Sequence, residues 1–185
     1  LNPPGSTFKV VVASAALASR RFTADSLLPG PKTYQLPNSS KKLRNWTGRE
    51  CGPEGKVTLR QALAISCNTA FAWLGNELGA AAIRDQAEAF GFNSGFNIPL
   101  RVATSLFPQD PDAPQTALSA IGQFEVRATA LQMAMVAASI GNSGRTMNPY
   151  LVQEIRGPDL SILQTTEPTQ FEDALKPSNS LSLTE

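Results

Sequence analysis

The sequence predicts an α+β chain on three observations. A helix of small and apolar residues lies near the start, further helical stretches fill the middle, and a turn-punctuated β pattern follows. The first helix is expected over 6–19, where Pro4 and Gly5 fix its entry and Val10, Ala13, Ala16 and Leu17 recur at helical spacing. Small and apolar residues on so many sides mark it as buried. Residues 28–55 turn to Pro, Gly, Ser and Lys and read as a long surface loop, with a short strand around 33–36. Thr58 then stands as the N-cap of a helix over 59–65, with Gln61 in the capping-box position. Helices over 69–78 and 80–90 are closed by Gly79 and Gly91. Residues 92–117 read as irregular, because Pro99, Pro108, Pro111 and Pro114 interrupt them. A helix over 128–140 ends at Gly141-Asn142-Ser143-Gly144, and segments 150–156 and 160–165 flank a Gly157-Pro158-Asp159 turn as a β-hairpin. The polar tail from Glu167 to Glu185 carries no assignment.

A chain of 185 residues can bury one domain core, and 42% hydrophobic with 17% charged residues places it among globular proteins. Sixteen basic and fifteen acidic residues leave a net charge of +1, which gives nucleic acid no electrostatic footing. Apolar runs such as Val10-Val11-Val12-Ala13 are too short to span a bilayer, and no signal peptide opens the chain. The chain begins just before the helix that carries its chemistry, so a piece of a longer protein is expected. Composition alone leaves Cys51 and Cys67 open between free thiols and a bridge. Two cysteines and no histidine argue against zinc, and no metal or cofactor is expected.

Ser6 and Lys9 stand three positions apart behind Pro3-Pro4-Gly5, on one face of the first helix. With no histidine in the chain, any serine nucleophile needs another base, and a buried lysine can serve because burial disfavours its charged form. The spacing alone is weak evidence. With 16 serines and 6 lysines a chance Ser-x-x-Lys is expected about half the time, and Ser39-Ser40-Lys41-Lys42 is one, in a polar loop where a lysine stays solvated and charged. Ser6 differs by opening an apolar helix, whose leading N–H groups and positive dipole end favour a developing oxyanion. The bland alternative makes Ser6 an N-cap and Lys9 a snorkelling side chain. Ser66-Cys67-Asn68 lies between two helices; such a junction often carries Ser and Asn as caps, yet a hydroxyl and an amide there could face Lys9.

Together, Pro3–Lys9 and Ser66-Cys67-Asn68-Thr69-Ala70-Phe71 resemble the first two active-site motifs of a class B penicillin-binding protein, in its D,D-transpeptidase domain. Ala120-Ile121-Gly122-Gln123 followed by Thr129-Ala130-Leu131-Gln132-Met133-Ala134 is similar to the segment that follows in that family, and the Cys51/Cys67 pair and Phe124 resemble an actinobacterial branch of it. The family usually carries glycine at Phe124 and proline at Ala130, departures that touch backbone geometry more than chemistry. Its third motif, Lys-Thr/Ser-Gly, does not occur; Lys32-Thr33-Tyr34 fails at the glycine.

The resemblance implies a penicilloyl serine transferase (β-lactamase/transpeptidase-like) fold, with a helical subdomain and part of an antiparallel sheet. Residues 1–185 would be a partial transpeptidase domain, without the accessory domain, the membrane anchor or the third-motif strand. It also implies an acyl-enzyme on Ser6 with Lys9 as base, Ser66 relaying a proton, and Asn68 binding the substrate amide and positioning Lys9. The implied partners are peptidoglycan stem peptides ending in D-Ala-D-Ala, β-lactam antibiotics and other cell-wall synthesis proteins, at the extracytoplasmic face of the bacterial membrane. That compartment is oxidising, so a Cys51–Cys67 disulfide is implied. A serine β-lactamase is the enzymatic alternative, but the Glu-x-x-Leu-Asn pattern of class A is absent, and Asn68 stands where class D and sensor domains carry valine. A non-catalytic penicillin-binding scaffold or sensor is the other alternative. The lack of histidine and of a Gly-x-Ser-x-Gly elbow excludes a histidine-triad hydrolase.

Overall fold

Helix α1 (Lys9–Ala18) lies at the centre of the molecule, and Lys9, Val11, Val12, Ala13, Ser14, Ala15, Ala16 and Leu17 are all buried in it. This computed structural model describes residues 1–96, 98–175 and 177–184. A short 3-10 turn (Gly5–Phe8) leads into α1, so the expected entry at Ser6 is tighter than an α-helical one. Around α1 stand α2 (Leu59–Ala64), α3 (Asn68–Leu78), α4 (Ala80–Ala89) and α7 (Pro177–Thr184). α5 (Ala113–Ser119) packs on the far side of α3, where Gly75 has no room for a side chain: a Cβ there would sit 2.4 Å from that of Ala120. Phe8 seals the turn into the core, with ring centroids 5.4 Å from Phe92 and 5.8 Å from Phe107.

Among the described residues the strands form four separate antiparallel pairs. β1 (Leu27–Pro29) pairs with β4 (Lys56–Thr58), and β2 (Thr33–Gln35) with β3 (Lys42–Arg44). The expected surface loop over 28–55 is therefore pinned at its base by a strand pair and carries a hairpin of its own. β6 (Glu154–Arg156) and β7 (Ile162–Thr165) make the expected hairpin around Gly157. β8 (Gln170–Asp173) returns to pair with β5 (Arg145–Met147), and α7 follows it, so the unassigned tail is structured by long-range contacts that no local pattern announces.

Local rules decide most helix ends. Thr58 caps α2 in a full capping box with Gln61. In α5, which the prolines of 92–117 had argued against, Asp112 and Gln115 form a second capping box, with Pro114 in the first turn. Proline there loses no helical hydrogen bond, so it permits the helix it would break further along.

The two family departures fall where backbone geometry matters. Phe124 sits at φ 59°, the left-handed region that glycine enters freely and a bulky residue does not. Ala130 is the first residue of α6 (Ala130–Gly141), after Thr129 as N-cap at φ −84°, ψ 158°. Proline fits that site on both counts, since its missing N–H is an unpaired one and Thr129 is already extended. Ala130→Pro is therefore expected to stabilise the fold by about 0.5–1 kcal/mol through the unfolded chain; a denaturation midpoint below that of the parent would contradict it.

Candidate active site

Two backbone contacts hold the Ser6 turn. Asn2 and Ala128 exchange backbone hydrogen bonds of 3.1 and 2.9 Å, and the Gly5 N–H donates to the Gly122 carbonyl at 3.0 Å. The two segments touch at Gly122, where a Cβ would lie 2.0 Å from the Gly5 oxygen. Ser6 itself is exposed, while Lys9, one turn on, is fully buried.

The Lys9 amine meets four oxygens. Nζ lies 3.1 Å from Ser6 Oγ, 2.9 Å from Ser66 Oγ, 2.9 Å from the Ser66 carbonyl and 2.7 Å from Asn68 Oδ1. None of these partners is a carboxylate, and burial pushes the Lys9 pKa down from 10.5 to about 8. The partners then fix where the proton vacancy points. The carbonyl and the amide oxygen can only accept, so they take both N–H groups of the neutral amine. Its lone pair is left for a hydroxyl hydrogen, from Ser6 or from Ser66. The arrangement can draw a proton from an exposed serine and pass it to a second one.

The motif Ser66-Cys67-Asn68 reaches Lys9 because α2 ends abruptly. The Ser66 N–H donates to the Leu63 carbonyl at 3.1 Å and the Cys67 N–H to that of Ala62 at 2.8 Å, with Ser66 at φ 57°. This is the Schellman ending, which usually places glycine at the left-handed position. Serine there costs backbone strain and gains a hydroxyl aimed at Lys9. α3 starts at Asn68, whose side-chain orientation is unambiguous: Oδ1 accepts from Lys9, and Nδ2 donates to the Arg44 carbonyl at 3.2 Å. One Nδ2 hydrogen remains for a ligand. Cys51 and Cys67 are joined in a disulfide that ties the 45–51 loop to the middle of the motif.

Ser6, Lys9, Ser66 and Asn68 thus stand together, and the loop copy at Ser39–Lys42 lies on the exposed β2–β3 hairpin instead. Sequence reasoning overlooked the cleft beyond Ser66, of about 760 Å³, which Trp46, Arg49, Glu50 and Ile65 help to line. Its only signal in the sequence was a tryptophan in a polar loop, and the structure leaves Trp46 80% exposed. Ser66→Gly is expected to stabilise the protein by about 0.5–1 kcal/mol, since glycine relieves the left-handed strain. A lower melting temperature in that variant would show that the hydroxyl contributes more to folding than the strain costs.

Comparison with known proteins shows the family. The model of the penicillin-binding protein transpeptidase domain matches residues 2–184. The peptidoglycan D,D-transpeptidase PbpA of Mycobacterium tuberculosis is 45% identical over 184 residues, 99% of this chain and 37% of its own length. The peptidoglycan D,D-transpeptidase MrdA of Acinetobacter baumannii is 29% identical over 84% of the chain and 24% of its own length. The chain therefore spans well under half the length of these curated relatives. Among solved structures, the ceftriaxone acyl-enzyme complex of M. tuberculosis penicillin-binding protein A superposes with a TM-score of 0.95 at 44% identity, covering 99% of this chain and 41% of that one. The D,D-transpeptidase domain of a peptidoglycan glycosyltransferase from Eggerthella lenta follows at 0.86 and 32%, covering 99% and 47%. From the Ser6 turn to α7 the chain keeps one known architecture, and it belongs to the penicillin-binding protein transpeptidase family.

Proposed function

We infer that the chain carries the acylation half-site of a serine D,D-transpeptidase that crosslinks peptidoglycan and is a target of β-lactams. One observation carries the reading: a buried lysine amine, held by neutral oxygens and lowered to about pKa 8, within 3.1 Å of an exposed serine. Ser6 Oγ attacks the carbonyl between the two terminal D-alanines of a stem peptide while neutral Lys9 takes its proton. Ser66 passes a proton toward the nitrogen of the departing D-alanine. The free Nδ2 hydrogen of Asn68 holds the substrate's backbone amide, and its Oδ1 keeps Lys9 in place. An amine from a neighbouring stem peptide then resolves the acyl-enzyme. The Ser6 N–H supplies one half of the oxyanion hole.

The other half belongs to a Lys-Thr/Ser-Gly strand, a motif that these 185 residues do not contain. In this reading residues 1–185 are a partial transpeptidase domain. The third motif, an accessory domain and a membrane anchor belong to other parts of the protein, which works at the extracytoplasmic face of the bacterial membrane with other wall-synthesis proteins. Among the described residues no helix is long and apolar enough to cross a membrane. The half-site by itself is expected not to acylate.

The intact protein is expected to gain the mass of one penicillin, and Ser6→Ala to lose that adduct; an adduct that persists in Ser6→Ala would refute the assignment. Rapid hydrolysis of a chromogenic cephalosporin would make the protein a β-lactamase, and no adduct on the wild type would refute the assignment as well. Because Lys9 acts as a base in its neutral form, the acylation rate should rise with pH and level off above about 8. At pH 7 about one molecule in ten has the neutral amine. A profile that is flat between pH 6 and 9 would remove Lys9 from the role of base.

A further inference from the structure

The first turn of α3 is capped from outside its own segment. Its N-cap residue is Cys67, whose side chain makes no capping bond, because the sulfur is joined to Cys51 and carries no hydrogen-bonding oxygen. The place is filled by Asn45, buried to 5% exposure, whose Oδ1 accepts from the Thr69 N–H at 3.1 Å across 24 positions. Side-chain oxygens at this position satisfy an otherwise unpaired helix donor. The Asn45 amide is used fully: Nδ2 donates to the Pro31 carbonyl at 3.1 Å and to that of Arg49 at 2.8 Å. The Thr69 hydroxyl donates to the same Pro31 carbonyl at 2.8 Å. One residue earlier, the Arg44 carbonyl receives the Asn68 amide. Residues 44–51 therefore grip 67–69 by a carbonyl, a cap and a disulfide.

We propose that Asn45 is a positioning residue for acylation: it sets the backbone at 68–69 and the Arg44 carbonyl together, and so aims Asn68 at Lys9 and at the substrate. The disulfide fixes only the distance between two chain segments, whereas the Asn45 amide fixes the rotation of the turn between them. Asn68 Oδ1 lies 2.7 Å from Nζ, and a turn of the motif by even an ångström would lose this contact. The proposal rests on the reading of Ser6 as the acylated residue.

The test compares penicillin acylation per folded molecule of the intact wild-type protein with Asn45→Ala, Asn45→Asp and Asp112→Ala. Asp112→Ala removes a cap of the same kind from α5, away from the site, and controls for simple loss of stability. Asn45→Ala is expected to lower the rate at saturating penicillin at least tenfold, and to move the midpoint of its pH dependence upward as water reaches Lys9. Asn45→Asp keeps the cap and loses both donations, and should fall at least threefold, which keeps the test open if the alanine variant does not fold. Asp112→Ala should stay within twofold of the parent. A parental rate and an unmoved midpoint in whichever Asn45 variant folds would overturn the proposal alone. Absence of a Ser6 adduct in the wild type would instead overturn the function, and the proposal with it.

Discussion

A primary amine taken out of water, with no carboxylate among its hydrogen-bond partners, is the constraint on which the rest of this structure turns. Lys9 is fully buried and surrounded by two hydroxyls, a carbonyl and an amide oxygen. A nearby carboxylate would stabilise the charged form and leave the amine protonated near neutrality; neutral oxygens satisfy its N–H groups without that cost to basicity. Keeping water away requires a helix enclosed on nearly every side, which explains why α1 is mostly valine and alanine and why four other helices surround it. The partners must also accept hydrogens in fixed directions, so the Asn68 amide is anchored at its far end by the Arg44 carbonyl.

The same requirement accounts for much of the unusual backbone near the site. Gly5, Ser66, Gly122 and Phe124 all have φ between 56° and 70°. Gly122 lets its segment approach the Gly5 backbone until no side chain fits between them. Ser66 and Phe124 enter that region at a cost, of order 1–3 kcal/mol each, that only surrounding structure can hold in place. Around Ser66 that structure is visible: a Schellman ending behind it, the disulfide beside it and the capped start of α3 ahead of it. Strain of this kind belongs where a side chain must be delivered to a point that regular secondary structure does not reach. For Phe124, the nearest support is its carbonyl, which accepts from the Arg127 guanidinium at 2.7 Å.

Local chemistry made a good deal of this legible. The capping box at Thr58, the glycine stops at Gly79 and Gly91 and the apolar first helix are all decided by residues within a turn of one another. Proline misled the reading of 92–117, because its effect depends on whether it falls in a first turn, as Pro114 does, or further along a helix. The β1–β4 and β5–β8 pairs escaped notice because each joins three- or four-residue strands across 20 or more positions, with no alternation long enough to detect.

By itself the sequence determined the cast: a serine and a lysine one turn apart on a buried helix, a second serine and an asparagine some sixty residues later, and no histidine to act in their place. Those follow from residue types and short spacings, which the chain carries wherever it goes. Only the tertiary structure decided that the two motifs meet, that the Lys9 lone pair faces hydroxyls, and that Asn45 rather than Cys67 caps α3. The reason is physical: hydrogen-bond direction and the exclusion of water depend on where distant segments pack, and a linear pattern records neither.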